Sequence, residues 1–97
     1  MASNASATRY DIEKFDGYND FGLWRMKIRA LLGNLGLEEA LEGETKMPTT
    51  YSVEKKKEIG KKVFNTLILI LGDKVLQEVS TMKKATLLWL KLEALHD

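Results

Sequence analysis

The sequence predicts an all-α fold, a compact bundle of about four to five short helices behind a flexible N-terminal tail. Three observations carry this reading. Apolar residues recur at helical spacing in separate stretches. Asp, Asn, Ser and Gly stand where those stretches begin and end. The length of 97 residues, 44% of them apolar, supports one modest core and no second one.

The elements follow in order. Residues 1–9 are small and polar, with too little apolar surface to offset ordering entropy, and read as a flexible tail. Order begins near Tyr10-Asp11-Ile12, ahead of the turn Asp16-Gly17-Tyr18-Asn19. A first helix starts after Asn19 or Asp20. Trp24, Ile28, Leu31 and Leu35 follow one face of it, with Leu32 beside them. Gly36 suits the left-handed residue that closes a helix. Residues 37–42 read as a short helix with Leu37, Ala40 and Leu41 inward, closed by Gly43.

Residues 43–51 form a connector holding the only proline, Pro48. Thr50 or Ser52 caps the next helix, which runs to about Leu71. Its first half carries Lys55, Lys56, Lys57, Lys61 and Lys62, and its second half Val63, Phe64, Leu67, Ile70 and Leu71. A strand competes over residues 63–71, where β-branched residues occur; helix is preferred because the apolar positions extend the spacing of a long charged segment. Gly72 ends that helix, and Asp73 caps a short one holding Val75, Leu76 and Val79. Ser80 or Thr81 opens the last, whose stripe is Ala85, Leu88, Trp89, Leu92 and Leu95. The helical domain is expected over residues 10–97, truncated at its C-terminal end.

Composition then narrows function. Formal net charge is +1, unlike the strongly basic balance usual in nucleic-acid binders. Residues 1–48 hold 6 basic and 8 acidic groups, and residues 49–97 hold 9 and 6, so the halves stand at −2 and +3. No cysteine and one histidine exclude disulfides, thiol catalysis and mixed Cys/His metal sites. The longest apolar run, Leu67-Ile68-Leu69-Ile70-Leu71, is far short of a membrane span. No signal peptide is evident, so the Asn4-Ala5-Ser6 sequon reads as accidental and a cytoplasmic location is expected.

Catalytic constellations fail in turn. Gly33-Asn34-Leu35-Gly36 lacks the lysine and preceding strand of a phosphate loop. A Ser-His-Asp triad would need the penultimate His96. Phe15-Asp16-Gly17 lacks the hydroxyl residue of an aspartic-protease motif. Glu38, Glu39, Glu42 and Glu44 read as a solvated face, with nothing to tune a pKa. The reading is therefore non-enzymatic, with no cofactor, no metal and no small-molecule substrate.

Candidate functional residues are anchors and cations. Phe15, Trp24, Ile28, Leu31, Leu67, Leu71, Trp89 and Leu92 are the expected core or interface anchors; both indoles lie on apolar faces, which favours core. Arg25, Lys27, Arg29, Lys61 and Lys62 are candidate nucleic-acid contacts. Against them, the lysines alternate with Glu54 and Glu58 at ordinary helix-pair spacing.

Four segments carry a resemblance. Lys14-Phe15-Asp16-Gly17-Tyr18-Asn19, followed by Leu23-Trp24-Arg25-Met26-Lys27-Ile28-Arg29-Ala30-Leu31-Leu32, resembles the start of the Gag protein of copia-type LTR retrotransposons. Gly36-Leu37-Glu38-Glu39-Ala40-Leu41-Glu42-Gly43 is similar to that family's second short helix. Leu69-Ile70-Leu71-Gly72-Asp73-Lys74-Val75-Leu76 resembles its leucine-rich stretch and break. Ala85-Thr86-Leu87-Leu88-Trp89-Leu90-Lys91-Leu92 is similar to its Ala-x-x-x-Trp-x-x-Leu helix. The pieces occur in the family's order over residues 10–97.

The resemblance implies the N-terminal, capsid-like region of a structural polyprotein that self-assembles into a virus-like particle around the element's RNA. It implies homo-oligomers or other Gag segments as partners. Family members continue into more helices and often a Cys/His zinc knuckle. This sequence has no knuckle, so RNA contact is expected to be weak. A fragment, a truncated copy and a host gene derived from an element all fit. With its last helix expected to lack a partner, the Trp89 helix is the expected association surface. The alternative is a small helical adaptor or nucleic-acid-binding domain, for which domestication from a retrotransposon is one route.

Overall fold

The computed structural model describes residues 12–97. The expected tail, residues 1–9, and the Tyr10-Asp11 start of order lie outside the described residues. Four α-helices and two short 3-10 turns make up the regular structure of that region, with no strand among the described residues. The all-α expectation therefore holds.

The chain enters through a turn tied by side chains. The Tyr18 and Asn19 N–H groups donate to Asp16 Oδ1 at 2.8 and 3.1 Å. The Asp16 N–H donates back to Asn19 Oδ1 at 3.1 Å, and Asn19 Nδ2 to the Lys14 carbonyl at 3.0 Å. Gly17 sits at φ +95°, a conformation costly for any residue with a Cβ. This turn aims Phe15 inward and delivers Asp20 to the start of helix α1.

Helix α1 spans Phe21–Asn34. Its N-cap is Asp20, whose carboxylate accepts from the Leu23 N–H at 3.0 Å. Phe21, Trp24, Ile28, Leu31 and Leu32 are buried. The end is a Schellman motif: the Leu37 N–H reaches the Leu32 carbonyl at 2.8 Å, the Gly36 N–H reaches that of Gly33 at 3.1 Å, and Gly36 takes φ +71°. Leu35 becomes the C-cap and is about half exposed. The expectation that it continues the inner face fails, because the helix has stopped one residue earlier.

The expected short helix after α1 is a 3-10 turn, Glu38–Leu41, with Ala40 and Leu41 buried. The connector is less plain than expected. It contains a second 3-10 turn, Glu44–Lys46, and drives Met47 into the core at 4% exposure. Ser52 then caps helix α2, Val53–Leu69, accepting from the Lys55 N–H at 3.0 Å. Helix, not strand, prevails over residues 63–69, with Val63 and Leu67 fully buried.

Helix α2 ends two residues before the expected Leu71, for a non-local reason. The Ile70 carbonyl accepts the Phe15 N–H at 3.1 Å, and the Gly72 N–H donates to the Phe15 carbonyl at 2.8 Å. Residues 70–72 are thereby drawn out of the helix into a bridge between Phe15 and Leu71. Gly72 lies close under the entering chain: a Cβ there would stand 3.2 Å from Asp16 Cα and 3.3 Å from the Phe15 carbonyl oxygen.

Helix α3, Asp73–Glu78, is capped by Gly72; Asp73 is its first residue, not its cap. The last helix, α4, spans Ala85–His96 and starts later than the expected Ser80 or Thr81. The Ser80 hydroxyl explains this. It donates to the Gln77 carbonyl at 3.1 Å and closes α3 instead of opening α4. Ala85, Leu88, Trp89 and Leu92 are buried, whereas Leu95, expected on the same stripe, is about half exposed.

One core joins all of these elements, from Phe15 through Met47 to Leu92. Ile28, Leu32, Val63, Leu67, Val75, Leu88 and Leu92 are essentially without exposure. Each such aliphatic side chain contributes about 1.5–3 kcal/mol by burial. The Trp24 indole N–H is buried without a hydrogen-bond partner among the described residues. That costs about 1–3 kcal/mol, offset by the apolar burial of the ring.

Two glycines give opposite predictions. Gly72→Ala should destabilise by about 1–3 kcal/mol, because the new methyl meets backbone that must shift. Gly60→Ala, within α2 and with nothing within 4 Å of the added Cβ, should stabilise by about 0.5–1 kcal/mol. Thermal unfolding followed by circular dichroism measures both. Equal shifts of the same sign would refute the assignment.

The Asp16 turn has a pH signature. The Tyr18 and Asn19 backbone N–H groups, which hydrogen-bond its carboxylate, hold Asp16 below its ordinary 3.8. A depressed folded-state pKa gives stability that is present above the unfolded value and lost as pH falls through the folded one. The Tm gap between the parent and Asp16→Ala should therefore narrow from about pH 6 to about pH 2.5. A gap constant across that range would contradict it.

Candidate assembly surface

Helices α1 and α4 meet through their tryptophans. Trp24 and Trp89 stack with ring centroids 6.0 Å apart and planes at 28°. Phe15 packs edge-on against Phe21 at 5.2 Å and lies 5.5 Å from Trp24. The His96 ring lies edge-on to Phe15 at 4.8 Å, and its Nε2 is 3.0 Å from Glu78 Oε1. The eight residues read as anchors, Phe15, Trp24, Ile28, Leu31, Leu67, Leu71, Trp89 and Leu92, are all buried, and all but Leu31 belong to the joined core.

Within the Trp89 helix the indole itself is not the free surface. Trp89 is 2% exposed and is covered by the chain's own Trp24. The free apolar surface of α4 lies on its other side. Leu87, Leu90 and Ala94, at steps of 3 and 4, face away from the core. Helix α1 has a matching strip of Leu23, Met26 and Ala30, also opposite its buried face. Met26 is 67% and Leu90 54% exposed. This second periodicity was present in the sequence but lay under the stronger signal of the buried stripes.

An ion-pair line ties the flanks of the two helices. Arg25 Nη1 lies 3.1 Å from Glu93 Oε2 and 2.8 Å from Asp97 Oδ2. Asp97 and Glu93 raise the Arg25 pKa, as expected for a cation between carboxylates. Arg29 pairs with Glu38 at 3.3 Å and Glu42 at 3.7 Å.

The candidate nucleic-acid contacts are dispersed by the fold. Arg25 and Arg29 are engaged by carboxylates. Lys62 lies 3.7 Å from Glu58 one turn away. Lys27 stands exposed on α1, and Lys61 on α2 lines a groove on another side of the molecule. Sequence spacing does not bring the five together, and neither does the fold. Among the described residues no group of three or more His, Asp or Glu side chains could hold a metal ion. None of the described helices is long and apolar enough to cross a membrane.

The chain is 30% identical over 91 residues to the retrovirus-related Pol polyprotein from transposon TNT 1-94 of Nicotiana tabacum. The similarity covers 94% of this chain and 7% of that polyprotein. No family model matches the chain, and no solved structure matches it significantly. The likeness to a copia-type Gag region carried by the four sequence segments thus extends, as similarity to a retrotransposon polyprotein, along nearly the whole chain.

Core and surface positions on α4 separate cleanly. Trp89→Ala should cost about 3–5 kcal/mol by emptying the centre of the core. Leu90→Ser, on the outer strip, should stay within about 0.5 kcal/mol. Chemical denaturation distinguishes them; a large loss at Leu90 would show that this side is packed.

Proposed function

We propose that this chain is a non-enzymatic structural module of Gag type, acting through helix packing and self-association in the assembly of a virus-like particle. The observation that carries the reading is similarity to a retrotransposon polyprotein along 94% of the chain, joined to exposed apolar strips on α1 and α4. Residues 10–97 then form one helical capsid-like unit of a longer polyprotein, working in the cytoplasm. Its partners are further copies of itself or other Gag segments.

The surface for this is the outer side of α1 and α4. Strips containing Leu23 and Met26 on one helix and Leu87 and Leu90 on the other are large apolar groups in water. Covering them against a copy related by two-fold symmetry buries each strip on both partners at once. The Arg25–Glu93 and Arg25–Asp97 pairs link α1 to the end of α4, while Arg29–Glu38 ties α1 to the first 3-10 turn. RNA is a minor partner in this reading, because both arginines are already paired and net charge is only +1.

Size-exclusion chromatography with light scattering tests the proposal. Apparent mass should rise between about 10 μM and about 500 μM for the parent chain. The double variant Met26→Glu with Leu90→Glu should remain monomeric with an unchanged Tm. A parent that is strictly monomeric throughout the range would defeat the reading.

A further inference from the structure

A groove of about 900 Å³ opens between α2, the connector and the start of α4, meeting the outer strip of α4 at Leu87. Its floor is apolar: Ala40, Met47 and Ala85 are buried, and Phe64 is half-buried. Its rim is basic. Lys57 and Lys61 come from α2, and Lys83 and Lys84 from the segment leading into α4. Glu44 is the one carboxylate among the lining residues. None of these four lysines has an ion-pair partner among the described residues.

Two further features shape the groove. The α4 N-terminus opens into it through Ala85, Thr86 and Leu87, and no side chain caps that helix. Its unpaired first-turn amides add positive potential to that of the lysines. On the opposite wall Gly60 leaves open space, since a Cβ there would meet nothing within 4 Å.

We infer that this groove docks a polypeptide segment that carries bulky apolar side chains flanked by carboxylates. Charge complementarity selects the partner: a rim of unpaired lysines around one glutamate matches acidic side chains. The buried apolar floor selects the centre of the segment, where leucine or phenylalanine displaces water from Met47 and Phe64. A carboxylate next to that anchor reaches the free amides of α4. A phosphate backbone would use the rim and leave the floor unfilled. The groove also offers no row of exposed aromatic rings on which bases could stack.

Fluorescence anisotropy on the intact chain tests this with a fluorescein-labelled peptide of about ten residues, glutamates around a central Leu-Phe pair. The same peptide with lysine in place of glutamate and a labelled poly(U) RNA of about ten nucleotides serve as comparisons. The glutamate peptide should bind saturably and weaken with salt, and the lysine peptide should not bind. Lys61→Glu with Lys84→Glu should weaken binding about tenfold or more. Gly60→Leu, which fills the groove from an open helix position, should weaken it similarly while Tm is kept or raised. Absence of saturable binding by the glutamate peptide overturns the inference. So does unchanged affinity in Gly60→Leu, or tighter binding of the RNA than of the peptide.

Discussion

The seating of Phe15 positions the rest of the molecule. Its N–H and carbonyl pair with Ile70 and Gly72, and its ring lies among Phe21, Trp24 and His96. One residue thus joins the entry to α1, the exit from α2 and the C-terminal end of α4. The loop it closes runs most of the length of the chain, and closing so long a loop costs little more than closing a short one. Once closed, it sets where α2 stops, why residue 72 has no side chain, and which face of α1 turns inward.

The parts of the fold legible in the sequence are those fixed by near neighbours. Helix α1 could be read at both ends because Asp20 caps it within three residues and Gly36 closes it within a five-residue motif. The Val63 and Leu67 face of α2 and the Leu88, Trp89 and Leu92 face of α4 followed from spacing alone. The end of α2 did not, since its cause is Phe15, far away in sequence. The start of α4 was misplaced because Ser80 can cap the helix that follows it or close the one before, and spacing does not distinguish the two. The side chain's bond to Gln77 decides the matter.

The candidate surfaces were legible only in their ingredients. Arg25 reads as a free cation because its partners Glu93 and Asp97 lie 68 and 72 residues further along; Arg29 is taken up by Glu38 and Glu42 across the turn that closes α1. Trp89 reads as core from its apolar face, but nothing in the local pattern shows that Trp24 is what covers it. The lysine groove was half visible. Lys57 and Lys61 belong to a helix whose glutamates promise local pairing, and Lys83 and Lys84 to a separate linker. Folding places the two sets across one depression, with their charge uncompensated.

Helix α4 serves three surfaces at once, and its composition follows from that. Ala85, Leu88, Trp89 and Leu92 face the core, while Leu87 and Leu90 face outward, so it is apolar nearly all round. Such a helix has no polar face to rest in water and is most stable when further surface is covered. Leu87 belongs both to the outer strip and to the groove wall. A peptide seated against it and a second copy covering the strip therefore draw on the same side chain. When two ligands share a contact, occupation of one site weakens the other, and by linkage the factor is the same in both directions. Under the two proposals together, the groove and the α1/α4 face are coupled through Leu87, and an acidic segment filling the groove would shift the balance between free and self-associated chains.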